Sequence, residues 1–123
     1  MNILIIGGNG FLGSKLAEKL HLSGHKVTIF DNVIKKNQSK KIKFILGSIL
    51  NYKQISKAFI KKDIVFNFAA VSDIEESINK PKLTANVNII GNLNAIESAI
   101  KHKIKKFIFA RDRKSGSAGM PRP

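Results

Sequence analysis

The residues best suited to chemistry are the glycines that follow the first apolar segment of the chain. Gly7, Gly8, Gly10 and Gly13 come directly after the apolar residues 3–6 and lead into a helical pattern of apolar residues. They fit both G-x-G-x-x-G and G-x-x-G-x-x-G spacing. Glycines allow a sharp turn and a close approach of the backbone, and the helix start offers free N–H groups, so this segment suits a pyrophosphate. The order of strand, turn and helix predicts dinucleotide binding; the alternative is a tight turn that only connects the two elements.

A carboxylate at the end of the next predicted strand completes the pattern. The strand covers residues 26–30, and Asp31 ends it, about 20 positions after the glycines. A carboxylate there can accept hydrogen bonds from the adenosine ribose hydroxyls and would repel a 2′-phosphate, which favours NAD over NADP. Alternatively, Asp31 opens a turn with Asn32. Lys35 and Lys36 follow closely and could hold a phosphate, so the preference for NAD stays open.

The elements that must position these residues alternate between strand and helix patterns. After a polar connection at residues 33–40, three further strands are predicted at residues 43–46, 63–68 and 105–110. Asn51 is the predicted cap of a helix carrying Ile55, Ala58, Phe59 and Ile60, and a long helix is predicted after Pro81. Right-handed crossovers between parallel strands give an α/β, Rossmann-like doubly wound sheet in the order 3-2-1-4-5. The glycine loop and the small residues after the fourth strand then lie at the same edge.

Length and composition restrict the class of protein. The chain has 123 residues and no cysteine, which fits one small domain and excludes disulfides and thiolate zinc sites. It carries no apolar run near the ~20 residues of a membrane span and no signal-peptide pattern. We therefore expect a cytoplasmic protein without a membrane partner. The net charge is +14, but the lysines are scattered and aromatic residues are few. This favours a solvated basic surface, able to attract an anionic substrate, over a specific nucleic-acid site.

Four stretches of the chain resemble one family. The chain is similar to the N-terminal cofactor-binding half of the extended short-chain dehydrogenases/reductases, the NAD-dependent epimerase/dehydratase family that acts on nucleotide sugars. The resemblance covers residues 1–110, an NAD-binding domain. It lies in residues 7–13, 31–32, 66–70 and 88–99.

The resemblance also implies roles for individual residues. The amides of Phe11 and Leu12 would bind the pyrophosphate, and Asp31 would bind the ribose. Residues 48–49 would flank the adenine, and residues 68–70 would line the path to the nicotinamide. The full expected cofactor-binding set is Gly7, Gly10, Phe11, Leu12, Gly13, Asp31, Asn32, Ser48, Ile49, Phe68, Ala69, Ala70 and Asn88.

Three positions depart from the pattern of that family. Ser48 stands where the family usually has Asp, which would weaken the contact with the adenine. Asn67 stands where His is frequent, and Asn92 replaces a usual Thr. None of these changes abolishes the expected binding of a dinucleotide.

The catalytic residues of the family have no counterpart in these 123 residues. The family uses a Ser or Thr after the fifth strand, and then a Tyr-x-x-x-Lys pair in which the tyrosinate is the base. The only tyrosine here is Tyr52, followed four positions later by Ser56. It opens the helix after the third strand, far from the cofactor path. No catalytic residue is expected, and the chain should be inactive alone.

The last residues change in character. Residues 111–123 are rich in Arg, Gly, Ser and Pro and lack the Ile and Asn of the rest. They are expected to form a disordered basic tail. The chain is then a truncated or frame-shifted version of a longer enzyme, read out of frame just past Ala110; a nucleic-acid-binding arm is the alternative. Without a second half, parts of residues 64–68 and 107–109 should be exposed, which predicts weak stability and a homo-oligomer or self-association through this sheet face.

Two hypotheses for function remain. In the first, the chain is the NAD(H)-binding portion of a nucleotide-sugar epimerase or dehydratase whose catalytic half lies outside it. In the second, it is a stand-alone, non-catalytic dinucleotide-binding or sensing module. The sequence leaves the identity of the sugar, the nucleotide and the reaction open.

Overall fold

The computed structural model describes residues 1–8, 10–33, 41–69, 81–82 and 86–109. Its strands are β1 (Asn2–Ile6), β2 (Lys26–Asp31), β3 (Lys43–Leu46), β4 (Ile64–Asn67) and β5 (Lys106–Phe109). Its α-helices are α1 (Phe11–Leu22), α2 (Tyr52–Ala58) and α3 (Asn92–Lys101), and a π-helix (Asn86–Gly91) leads directly into α3. The predicted tail at residues 111–123, the polar connection at residues 34–40 and Ala70 lie outside the described residues.

The five strands form one parallel sheet in the order β3-β2-β1-β4-β5, so the predicted Rossmann-like order is confirmed. Ile5 of the central strand is paired with Ile29 on one side and with Phe66 on the other. The central strand is apolar without interruption, and Leu4 and Ile5 are fully buried. A continuous apolar run of this kind is what a parallel strand with both faces covered requires.

Helices cover the two faces of the sheet differently. On one face, α1 contributes Ala17 to a core with alternate residues of β1 and β2. On the other face, α2 and α3 contribute Ile55 and Ala95 to a second core that contains Phe30 and Val65. Each large side chain that is fully buried in these cores contributes on the order of 1.5–3 kcal/mol to folding.

Helix α2 begins as the sequence predicts and ends earlier. The Asn51 side-chain oxygen accepts the Gln54 N–H at 3.2 Å, which confirms the predicted cap. The helix ends at Ala58, and the chain turns through Lys61, whose φ is 59°. Phe59 therefore enters the core from the turn rather than from the helix, and Ile60 is 48% exposed.

The helical segment before β5 differs from the single long helix expected after Pro81. Residues 86–91 are π-helical, and α3 begins only at Asn92. The face of α3 toward the sheet carries small residues, Ala95 and Ser98, while Leu93, Ile96 and Ile100 are exposed. The small residues allow the helix to approach the sheet closely, which leaves the larger side chains on the outside.

Strands β4 and β5 are only partly covered. Val65 and Asn67 are buried beneath the helices α2 and α3, whereas Phe66 and Ile108, on the α1 side, are half-buried. Phe109 is 55% exposed. Among the described residues, no helix is long and apolar enough to cross a membrane.

Candidate dinucleotide-binding site

Gly7 is the point at which three strand ends meet. Its N–H donates to the Phe30 carbonyl at 2.7 Å, which ties the end of β1 to the end of β2. Its φ is +75°, a conformation that favours glycine. A Cβ at Gly7 would lie 3.1 Å from the Phe68 carbonyl carbon and from the Ala69 nitrogen, just past β4. A side chain at this position would therefore push the loop away from both neighbouring strands.

Gly8 and Gly13 allow helix α1 to pack closely against the loop. A Cβ at Gly8 would lie 2.7 Å from Ile29 Cγ2, and one at Gly13 would lie 2.8 Å from the Gly8 Cα. The Ser14 hydroxyl also donates to the Gly8 carbonyl at 3.0 Å. The first turn of α1 is thus held directly above the loop.

Gly10 has different surroundings from the other glycines of the loop. Its φ of −69° and ψ of 170° suit any residue, and among the described residues a Cβ there would meet only the Gly7 carbonyl oxygen, at 3.7 Å. The protein itself does not require glycine at this position. Gly10 instead leaves open space in front of the α1 N-terminus.

That N-terminus is suited to an anion. Gly10 is the N-cap of α1, no side chain caps the helix, and its first turn has no acidic residue. The amides of Phe11 and Leu12 belong to this turn, where N–H groups have no acceptor within the helix. The positive end of the helix dipole acts in the same direction. A phosphate placed beside Gly10 could accept these hydrogen bonds.

Asp31 lies at the end of β2, next to the loop. Its Oδ1 accepts the Asn32 N–H at 2.7 Å, and its carbonyl accepts the Gly47 N–H at 3.0 Å. Asp31 is therefore hydrogen-bonded to Asn32, the residue with which the sequence allowed a turn. A carboxylate offers about four acceptor positions, so this local bond is compatible with a ligand hydroxyl as well.

The segment after β3 is held by α2 and α3. The Ser48 N–H donates to Gln54 Oε1 at 2.8 Å, and the Ile49 carbonyl accepts from Asn94 Nδ2 at 2.9 Å. The Ile49 side chain is 8% exposed and packs against Gly91, where a Cβ would lie 2.7 Å from Ile49 Cγ2. The Ile49 side chain is therefore part of the core, and Ser48 is the more accessible of the two.

A chain of amides organises the end of β4. Asn67 is 2% exposed; its Oδ1 accepts the Ala69 N–H at 2.9 Å, and its Nδ2 donates to Asn92 Oδ1 at 2.9 Å. Asn92 Nδ2 in turn donates to the Asn88 carbonyl at 2.8 Å. These hydrogen bonds link Ala69 and Asn88, two of the sequence-predicted site residues, through Asn67 and Asn92, which were not predicted as part of the site.

The sequence contained a partial signal for this chain of amides. Asn67 and Asn92 are two of the three positions that depart from the family pattern, and they are hydrogen-bonded to each other across 25 positions of sequence. Each amide supplies both a donor and an acceptor, so the two changes complement one another. Gln54 and Asn94, which hold the segment after β3, had no signal beyond their amide side chains.

The structure brings the predicted residues of β1, β2, β3 and β4 to one edge of the sheet. This is the edge formed by the carboxyl ends of the strands, beside the order reversal between β1 and β4, where open α/β sheets bind their ligands. Tyr52 is the first residue of α2, as predicted. Among the described residues, no group of three or more His, Cys, Asp or Glu could hold a metal ion.

Comparisons with known proteins agree with this geometry. The model of the NAD dependent epimerase/dehydratase family matches residues 3–111. The chain is 32% identical to a bifunctional UDP-glucose 4-epimerase and UDP-xylose 4-epimerase from Pisum sativum, over 88% of this chain and 35% of that protein.

Solved structures show the same likeness. The UDP-glucose 4-epimerase of Thermotoga maritima, solved with UDP-glucose, has a TM-score of 0.83 and 36% identity over 89% of this chain and 37% of that one. The UDP-glucose 4-epimerase of Thermus thermophilus, solved in complex with NAD, has a TM-score of 0.84 and 26% identity over 100% of this chain and 45% of that one. This chain therefore spans less than half the length of these relatives. It belongs to the NAD-dependent epimerase/dehydratase family.

Proposed function

We propose that this chain binds NAD at the edge of the sheet formed by the glycine loop, and that it is the cofactor-binding portion of a nucleotide-sugar epimerase or dehydratase. The observation that carries the proposal is the open space at Gly10, in front of an uncapped helix N-terminus. Both features are unnecessary for the fold and suit a pyrophosphate. The Thermus thermophilus relative was solved with NAD, which supports the choice of dinucleotide.

Each part of the expected site has a role in this proposal. Gly10 leaves room for the pyrophosphate, Gly7 and Gly13 shape the loop beside it, and the amides of Phe11 and Leu12 donate to it. Asp31 and Asn32 bind the ribose, and residues 48–49 flank the adenine. Phe68, Ala69 and Asn88 border the nicotinamide end, and the same role is proposed for Ala70, which lies outside the described residues. NAD, when bound, supplies a hydride acceptor.

The chemistry on the substrate is assigned to residues outside these 123. The relatives are named for UDP-sugars, and we propose a nucleotide sugar as the substrate of a longer parent protein. Tyr52 is excluded as the base of this reaction by its place at the start of α2. The cytoplasm is the proposed location, in keeping with the absence of cysteine.

The sequence leaves a second candidate function open. In this alternative the chain is a non-catalytic dinucleotide-binding or sensing module. The coding DNA beyond codon 110 separates the two candidates. A continuing frame with Ser or Thr and then Tyr-x-x-x-Lys supports the enzyme, and a stop directly after codon 123 supports the module.

The binding proposal is tested with Gly10→Val, which fills the open space without straining the backbone. NAD binding is measured by isothermal titration calorimetry, and we expect the variant to lose at least about 100-fold in affinity, or about 2.7 kcal/mol. Its circular dichroism spectrum and melting temperature should stay close to those of the parent.

Gly24→Ala is the matched control. Gly24 has a φ of +93° in the turn after α1, so alanine should lower stability while NAD affinity is retained. NAD binding by a folded Gly10→Val variant at the affinity of the parent would refute the proposed site.

We also propose that copies of the chain associate through the half-covered face of β4 and β5. Phe66 and Ile108 are paired in register there and only half-buried. Burial of about 25 cal/mol per Å² of apolar surface would drive this association.

A further inference from the structure

A groove of about 1100 Å³ runs along the α2 side of the sheet. Thr28 and Ile45 lie along its base, and α2 with the turn after it forms a wall. Thr28 is paired in register with Lys43, so Lys43 lies beside it on the same face. The proposed function assigns no role to this groove.

The groove is lined by an unusual number of cations. Six lysines contribute to it, and none of its described lining residues is acidic. Most of these lysines come from the first residues of β2 and β3 and from the turn before β4, so they gather at the amino-terminal edge of the sheet, opposite the glycine loop. They are Lys26, Lys41, Lys43, Lys57, Lys61 and Lys62.

Asp63, which directly follows Lys62 in the sequence, does not neutralise the lysines of the groove. Asp63 Oδ2 accepts the Asn2 N–H at 2.8 Å, and Oδ1 pairs with Lys105 at 3.9 Å. Asp63 is therefore directed toward the start of β1 and of β5, and it is not part of the groove lining.

Lys62 shows the electrostatic cost of this arrangement. Burial, and secondly the charge of Lys43, lower the pKa of Lys62 below its ordinary value. Its Nζ donates to the Ile60 carbonyl at 3.3 Å, a neutral acceptor. An anion placed between Lys43 and Lys62 would relieve the repulsion and replace lost hydration.

We propose that this groove binds an anion with two or more linked phosphate groups, held by Lys43, Lys62 and the neighbouring lysines. Lysine ammonium groups bind phosphate as compact point charges. Several linked phosphates match several ammonium groups along one edge better than a single phosphate does. Ile45 and Ala58 add an apolar base, against which the organic part of a nucleotide could also pack.

The test titrates the 123-residue chain with inorganic tripolyphosphate and, separately, with ATP, at about 100 mM ionic strength. A Gly10→Val background removes binding at the glycine loop from both titrations. We expect saturable binding of tripolyphosphate that weakens at least about tenfold, or about 1.4 kcal/mol, in Lys43→Gln/Lys62→Gln.

The matched control is Lys53→Gln/Lys101→Gln, which removes the same charge from exposed positions outside the groove. We expect its affinity to change by less than about twofold. Lys57→Gln/Lys61→Gln is a second groove variant at exposed side chains, in case the first does not fold.

The outcomes distinguish recognition of the phosphates alone from recognition of a whole nucleotide, and they also test the proposal itself. Equal affinity for both probes means that the phosphates alone are recognised, and tighter ATP binding means that the apolar base is used; both support the groove. Equal losses in groove and control variants would reduce the effect to diffuse attraction by a basic chain. That result, or no saturable binding of either probe, overturns the proposal.

Discussion

Gly10 and Gly13 lie three positions apart in one loop, yet their surroundings differ. A Cβ at Gly13 would lie 2.8 Å from the Gly8 Cα, while one at Gly10 would meet nothing in the described part of the chain closer than 3.7 Å. The Gly13→Ala variant should therefore lose about 1–3 kcal/mol of stability through overpacking against backbone. Gly10→Ala should melt within a few degrees of the parent. Denaturant unfolding of both variants measures the difference, and equal losses would contradict the loop geometry.

In the proposed site, Asp31 is the residue expected to set the choice between NAD and NADP. Asp31→Ala removes the carboxylate that would accept the ribose hydroxyls, and hydrogen bonds to charged groups contribute about 1.5–3 kcal/mol. We expect NAD affinity to fall about 10- to 100-fold and the preference over NADP to shrink, because the repulsion of the 2′-phosphate is lost as well. Parallel titrations with both dinucleotides measure this. Lys53→Gln, which changes an exposed side chain outside the proposed site, serves as the control.

At the scale of elements, the π-helix and α3 brace the segment after β3. Ile49 packs against Gly91, and Asn94 donates to the Ile49 carbonyl. In Gly91→Ala, the new Cβ would lie 2.7 Å from Ile49 Cγ2, so the Ile49 side chain must shift. We expect about 1–3 kcal/mol of destabilisation and a weaker adenine contact. Because Gly91 lies away from the glycine loop, only the adenine contact should be affected. NAD affinity and AMP affinity should therefore fall by the same factor. Unchanged AMP binding would show that the packing of Ile49 on Gly91 does not affect the adenine contact.

The elements also show where sequence patterns stop being sufficient. The strands were predictable because each is a short apolar run, and the Asn51 cap because its spacing to Gln54 is local. The π-helix has no local sequence signal; Asn92, just after it, donates to the Asn88 carbonyl inside it and accepts from Asn67 of β4. Likewise, the pairing of Asn67 with Asn92 joins residues far apart in sequence. The glycine loop was predictable as the connection between β1 and α1, but only contacts with the residues after β4 and with β2 explain why Gly7 and Gly8 are glycine.

At the scale of the whole molecule, two surface properties oppose each other. The net charge of +14 opposes association with a second copy, while the proposed association through the half-covered face at Phe66 and Ile108 would favour it. At 0.1 M, salt screens the charge repulsion beyond about 10 Å. It does not change the charge of the protein or its apolar surface. Self-association should therefore increase with ionic strength.

Sedimentation velocity from about 20 mM to about 500 mM NaCl measures this balance, because the screening length falls several-fold across that range. We expect a shift from monomer toward larger species as salt rises. Ile108→Ser should reduce the shift, since it lies on the proposed face, whereas Ile100→Ser, 73% exposed on α3, should leave it unchanged. A larger effect of Ile100→Ser would move the interface to the outer face of α3. Association that weakens with salt would instead mean that ion pairs join the copies, and the apolar face would then have no part in it.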